Sequence, residues 1–485
     1  MKQSALDPWQ YRLSPVAVPG AQALGAFWLE TGPDLPVIPV TDAQGASVGI
    51  LLGFPIDLAK ECMVSTDWLA PIALAADADA DADAFAHAVL MALGGRFLWI
   101  CTAAGLARIY PDCSAQVSCV YDPAAQMAGS TAFALLDDAE YDARFDKALF
   151  DRLGVDGEGW FPAGLTAHRG LTRLLPNHYL DLNHWQTRRF WPIAPLETTQ
   201  NPSETVDQII AIVQAQIKAL LGGPKKLAFA LTAGHETRML LACARAYLKD
   251  IDFVTVTGGD RHEVDTVMAR CIAKDQGLNH ITLPRLTATE DQRTLFIRRG
   301  GHCNADTNSH FHPSVWPIAN SHSFAGGVGG EVARAFFWRP TDAKETTLTS
   351  ATMISRFGLS AVGPLTIAVD HWLSEIPPLD MGHSLDLAYL EHRDGAWYAA
   401  QFCCDPTLVR LAPLLTFQTV ALMISLPPDW KRRDQLGHAI IARLWPELAQ
   451  YPFNSLGRWK DLMVKALRLV NNPRLLIKKL RKMRH

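Results

Sequence analysis

The sequence predicts a mixed α/β protein, with a β-rich part over residues 1–195 and, over residues 200–456, a parallel sheet with helices around it. Three observations carry this. Short apolar runs separated by Gly- and Pro-containing turns fill roughly the first 190 residues, a helical period opens soon after residue 200, and strands then alternate with helices. A chain of 485 residues, 49% hydrophobic and 19% charged, can bury one large or two ordinary cores.

In the N-terminal part, Val48 to Phe54, Arg96 to Thr102 and Gln116 to Tyr121 have the length and composition of strands. The alternating Ala and Asp run from Ala76 to Ala84 reads as the solvated entry to a helix at Phe85 to Leu93, or as a loop, and not as a functional acidic tail. After residue 200, Val206, Ile209, Ile210, Val213, Ile217, Leu220 and Leu221 recur at helical spacing and stop at Gly222, Gly223 and Pro224. A buried strand from Lys226 to Leu231, a turn at Thr232 to Glu236, a helix from Thr237 to Leu248 and a strand from Phe253 to Thr257 follow. A second turn, Gly258 to Glu263, leads to a helix in which Val264, Val267, Met268, Cys271 and Ile272 share one face. Strand, helix, strand, helix in this order implies parallel pairing with right-handed crossovers. Beyond Ser350 the chain is Leu-rich and helical, and residues 457–485 form a strongly basic stretch with a single acid, Asp461.

The net charge of -4 gives no overall positive field, so a nucleic-acid partner is not expected. The nine cysteines lack a repeated CxxC spacing, which excludes a disulfide scaffold or a zinc ribbon and points to a reducing, cytoplasmic setting. Met1 to Tyr11 lacks an apolar leader, and the most apolar stretch, Leu411 to Leu426, is too short and interrupted to span a bilayer. The basic stretch reads as a solvated terminal helix, or as a local contact for RNA, an acidic partner or the headgroups of an anionic membrane surface.

In a parallel sheet, ligands bind beyond the carboxyl ends of the strands, where loop amides and helix N-termini face an anion. The turn from Leu231 to Arg238 holds that position. Ala233 and Gly234 are small enough for a phosphate to approach the backbone; Thr232 and Thr237 add hydroxyl donors; Glu236 is a candidate magnesium ligand. A rival metal reading gathers His302, Cys303, His310 and His312 as zinc ligands, although their spacing matches no finger.

This turn resembles the pyrophosphate-binding loop of asparagine synthetases, usually Leu-Ser-Gly-Gly-x-Asp-Ser after a strand. Thr257-Gly258-Gly259, Glu263 to Asp265 and Ala269 to Gly277 resemble the family's second strand and helix, and Ala325 to Val332 resembles its third loop. Further upstream, Gly94 to Phe97, Arg108 to Asp112 and Gly170 to His178 resemble its other domain; Leu411 to Leu414, Ser425 to Pro427 and Arg443 to Leu448 resemble its late helices. The resemblance runs from about Gly94 to Asn454.

The resemblance implies a class II amidotransferase-like β-sandwich domain followed by an ATP-pyrophosphatase (PP-loop) domain. ATP would contact Leu231, Thr232, Ala233, Gly234, His235, Thr237, Val256, Gly326 and Gly327, and Mg2+ would be held by Glu236 and Glu331. The family's lysine for the adenylated intermediate would fall near Pro452-Phe453-Asn454, where none stands; Lys431 is a candidate replacement. The implied reaction is amide formation. A small-molecule or peptide carboxylate, such as that of a precursor peptide, attacks the α-phosphorus of ATP, and an amine then displaces AMP. The glutaminase of the family needs an N-terminal cysteine, but Lys2 stands at position 2, as though the amine came from the substrate itself, in the manner of β-lactam synthetases and lasso-peptide cyclases. Glu236 and Glu331 stand where the family has Asp, and Val328 replaces an acid. These departures equally suit a non-catalytic relative that keeps the fold, binds a nucleotide and serves as a scaffold.

Overall fold

The computed structural model describes residues 6–74, 78–103, 105–157, 159–258, 262–340, 342 and 348–457. The basic stretch from Arg458 onward, Gly259, and the side chain of Glu263 lie outside the described residues.

Among those residues the protein is mixed α/β with three sheets, one of them parallel. The N-terminal part supplies a six-stranded antiparallel sheet and an eight-stranded sheet centred on Ser47–Asp57 and Leu93–Cys101, paired from Ile50 opposite Ile100 to Asp57 opposite Leu93. All nine residues of Leu93–Cys101 are buried, because both faces of that strand are covered. Rings link the two sheets: Trp9, just before the strand Tyr11–Ser14, meets Phe54 at 5.9 Å, and Phe27 meets Trp185 at 5.9 Å.

Val48 to Phe54 and Arg96 to Thr102 fall on these central strands, whereas only Val120–Asp122 of the expected strand at Gln116 to Tyr121 is extended. The difference has a local cause. Asp112 accepts the backbone N–H groups of Ser114 and Gln116 at 3.0 and 3.1 Å, an alternative to ladder pairing that holds the preceding residues in a buried loop. The helix expected at Phe85 to Leu93 instead spans Ala78–Ala92, and Leu93 already opens the next strand.

The helix Pro202–Leu221 starts as its sequence dictates, with Asn201 accepting from Glu204 N–H and Pro202 in the first turn. Its apolar stripe is buried. The parallel sheet has the spatial order His280–Pro284, Ile251–Thr257, Lys226–Ala230, His322–Ala325, Arg410–Leu411. The helix after the first of these strands in sequence runs over His235–Cys243, two residues earlier than expected, and tightens at Arg245–Tyr247 into a 3-10 turn. In the helix His262–Gln276 the buried face is Met268, Ala269, Ile272 and Ala273; Val267 and Cys271 are exposed, so the helix is rotated from the orientation its apolar residues suggest.

The chain beyond Ser350 is helical, and includes a π-helical segment, Tyr389–Tyr398. A buried ion pair joins that segment to the N-terminal part: Arg189 donates to both oxygens of Glu391 at 2.7 and 2.8 Å, and Asn177 and Trp372 complete the carboxylate's partners. One hydrophobic core runs from Trp9 to Tyr451. No helix of the described residues is long and apolar enough to cross a membrane.

Candidate functional site

The strand Lys226–Ala230 delivers Leu231 to the sheet's carboxyl edge, where its N–H donates to Val254 O at 2.9 Å and its carbonyl accepts from the Thr255 hydroxyl at 2.6 Å. The turn that follows is held by its own side chains. Thr232 Oγ1 accepts the N–H of Gly234 at 3.0 Å and lies 2.9 Å from the hydroxyl of Thr237. Ala233 donates its N–H to Asp265 Oδ1 at 2.9 Å. The Ala233 carbonyl in turn accepts from Asn454 N–H at 2.9 Å and from Arg238 at 3.2 Å.

The segment Tyr451 to Asn454 therefore lies on the loop. Arg238, with no exposed surface, also donates to the carbonyls of Tyr451 and Pro452 at 2.5 and 2.6 Å, and its guanidinium lies 4.3 Å from the centre of Phe453. Burial lowers its pKa to about 10, which leaves it charged at neutral pH. The ring of His235 stacks on the same Phe453 at 3.9 Å, and its Nδ1 lies 2.5 Å from Asp434 Oδ2.

A second turn follows the neighbouring strand His322–Ala325. Gly327 and Gly330 press against Glu236: a Cβ at Gly327 would lie 2.4 Å from the Glu236 Cβ, and one at Gly330 would lie 2.7 Å from its Cγ. Gly329, at φ +98°, turns the chain into the 3-10 turn Gly330–Arg334, and donates its N–H to Glu331 Oε2 at 3.2 Å. The result is a shared cation. Arg334 pairs with Glu236 and lies 3.6 Å from Glu331, with all three side chains half-buried.

Burial, and next the charge of Glu236, push the Glu331 carboxyl above the usual carboxylate range. Behind it, Asp394 of the π-helical segment is buried, with Oδ2 lacking a hydrogen-bond partner among the described residues. Burial, followed by the charge of the nearby Glu331, holds the Asp394 carboxyl well above its ordinary range.

Of the residues singled out from sequence, Leu231, Thr232, Ala233, Gly234, His235, Glu236, Thr237, Gly327 and Glu331 share this edge of the sheet. Gly326 joins them, but its N–H donates to Leu411 O at 3.0 Å within the sheet. Val256 faces a separate cavity of about 530 Å3, bounded also by Arg285, Asp306, Phe311, His312 and Arg410. Lys431 is buried, and its ammonium is taken up by Asp386 Oδ2 at 2.6 Å and Ile424 O at 2.5 Å. The position near Pro452 to Asn454 does lie on the loop, without a lysine.

Glu236 and Glu331 offer hard oxygen ligands of the kind magnesium takes, and the Arg334 guanidinium stands against both of them. No group of three or more His, Cys, Asp or Glu among the described residues is placed to hold a metal ion. This overturns the zinc reading of His302, Cys303, His310 and His312: His302 stacks on Phe145 at 4.4 Å and His312 on Phe296 at 4.7 Å. Asp394 is the site residue that sequence reading missed, because an isolated acid within a helical stretch carries no signal of its burial.

No protein-family model matches the chain, and the search of curated proteins finds no match.

Proposed function

We propose that the protein is an ATP- and Mg2+-dependent amide-forming ligase of the asparagine-synthetase type, with a class II amidotransferase-like β-sandwich ahead of an ATP-pyrophosphatase domain, working in the cytoplasm without glutamine hydrolysis. One observation carries the reading: Glu236 and Glu331, from turns after neighbouring parallel strands, converge on one cation at the carboxyl edge of the sheet.

In this reading Glu236 and Glu331 would hold Mg2+, which when bound would supply charge neutralisation for a pyrophosphate leaving group. The first turn of His235–Cys243, whose N–H groups lack intrahelical acceptors, directs positive potential at the phosphates. Thr232 and Thr237 present hydroxyls beside that turn. Arg334, now paired with these carboxylates, would be the guanidinium nearest to the phosphates. The Tyr451 to Asn454 segment, fixed by Arg238, closes the other side of the loop and limits water. The substrate is a small-molecule or peptide carboxylate, and its own amine or a second substrate's amine attacks the activated acyl group.

A second reading, a non-catalytic nucleotide-binding or scaffold protein, is favoured by a different observation: the Ala233 N–H already has Asp265, and both glutamates already have Arg334. Pyrophosphate release from ATP separates the two. A ligase releases pyrophosphate with carboxylate pools present and loses at least about a hundredfold in Glu236→Gln or Glu331→Gln; a scaffold shows no release and no difference.

A further inference from the structure

A cavity of about 750 Å3 is lined in part by the residues that follow Arg334 and has no part in the loop itself. Its walls come from the end of the helix Lys147–Arg152 with the residues after it, from Phe336 to Arg339 just beyond Arg334, from the end of Ser350–Phe357, and from Arg393. The volume falls within the range of small-molecule sites.

Its lining combines guanidinium groups with flat rings. Among the described residues Asp151 is the sole acid of the lining, and Lys147 donates to it at 2.7 Å. Arg356 is matched by Asp342. Arg152 and Arg339, both largely exposed, have no carboxylate within ion-pair distance among the described residues. Arg393 lies over the rings of Trp160 and Trp397, at 4.3 and 4.4 Å. Phe336 is 53% exposed, a large apolar ring on a wall otherwise rich in charge.

The lining sets guanidinium donors next to the uncovered ring of Phe336, and one ligand that joins an anion to a flat ring complements both. An aliphatic acid would leave Phe336 wet; an uncharged ring would leave the arginines without a partner. We propose that this cavity binds a small aromatic molecule carrying an anionic oxygen group, carboxylate or phosphate, with Arg152 and Arg339 on the anion and Phe336 and Trp160 against the ring. Tyr389 links it to the carboxylates: its ring is 4.7 Å from Phe336, and the charge of Glu331 is among those acting on its hydroxyl. The cavity is thus placed to anchor one end of a substrate whose reacting group reaches the Glu236 and Glu331 site. That role as substrate anchor rests on the ligase reading; the binding of aryl anions does not.

The test is calorimetric titration of the full chain with phenyl phosphate and benzoate, with inorganic phosphate and benzyl alcohol as the ringless and uncharged probes. The inference expects saturable binding of at least one aryl anion, at least about tenfold tighter than either control and weakened about tenfold or more in Arg152→Gln/Arg339→Gln and in Phe336→Ala. Arg152, Arg339 and Phe336 are exposed enough for these variants to fold, which thermal melting checks. Absence of saturable aryl-anion binding, equal binding of inorganic phosphate, or unchanged binding in the variants overturns it. ATP is titrated separately: aryl-anion binding without ATP binding sinks the ligase reading and leaves the cavity assignment standing.

Discussion

Asp265 accepts the backbone N–H of Ala233 at 2.9 Å, so a carboxylate of the protein already sits against the loop proposed to cradle a triphosphate. A bound triphosphate must either displace this oxygen or tolerate its charge. Like charges a few Å apart in a partly screened site repel by on the order of 1 kcal/mol or more. Asp265→Asn is therefore expected to tighten ATP binding about fivefold to tenfold in calorimetric titration. Unchanged or weaker binding would contradict the repulsion proposed between this carboxylate and the triphosphate.

Arg238 ties the loop to the end of the described chain. Its guanidinium has three backbone carbonyls, those of Ala233, Tyr451 and Pro452, and its replacement by Met leaves buried acceptors without a donor. Arg238→Met should lower the unfolding free energy by about 3 kcal/mol or more, read from the urea midpoint. A loss under about 0.5 kcal/mol would mean that the segment around Phe453 is not anchored through this side chain.

Acid should destabilise the protein before its carboxylates titrate. Burial, followed by the neighbouring His302, lowers the His168 pKa to about 3, and burial, followed by Arg298, lowers that of His302 to about 4. An unfolded histidine takes up its proton near pH 6.5, the folded one only below these values. The stabilising difference is full above pH 6.5 and is lost as pH falls from there toward 4 and 3. Each histidine contributes at most about 1.4 kcal/mol per pH unit within that window. Urea unfolding at pH 7 and pH 5 should show the decline, and His302→Phe should make it shallower; an identical slope in the variant counts against the assignment.

The Arg189 and Glu391 pair predicts a different sensitivity. Burial opposes the Glu391 charge, yet Arg189 and its other donors outweigh it and hold the carboxyl down to about 2. Glu391→Leu strands a buried guanidinium and should cost about 3–5 kcal/mol. Pairing it with Arg189→Met should recover part of that loss, and a double variant no better than the single one would contradict this view of the pair.

The sequence makes some of this legible for physical reasons. Val206 to Leu221 and the apolar strand around Phe229 obey the helical and buried-strand patterns, so element type and parallel order follow from periodicity. The turn at Thr232 to Thr237 is visible because small and hydroxyl residues there have a backbone reason. What stays hidden is long-range pairing. Nothing local says that Asp265 reaches the Ala233 amide, that Arg334 serves two glutamates, or that Asp386 takes up the ammonium of Lys431. Gly327 is a partial exception, since a glycine run signals close approach, although not that Glu236 is the group approached.

The most direct measurement is calorimetric titration of ATP into the full chain with and without Mg2+, repeated with Glu236→Gln/Glu331→Gln. The account predicts saturable, Mg2+-dependent binding in the native chain that the double substitution weakens by about tenfold or more. No ATP binding at millimolar concentration, or binding that neither Mg2+ nor the double substitution alters, would contradict it.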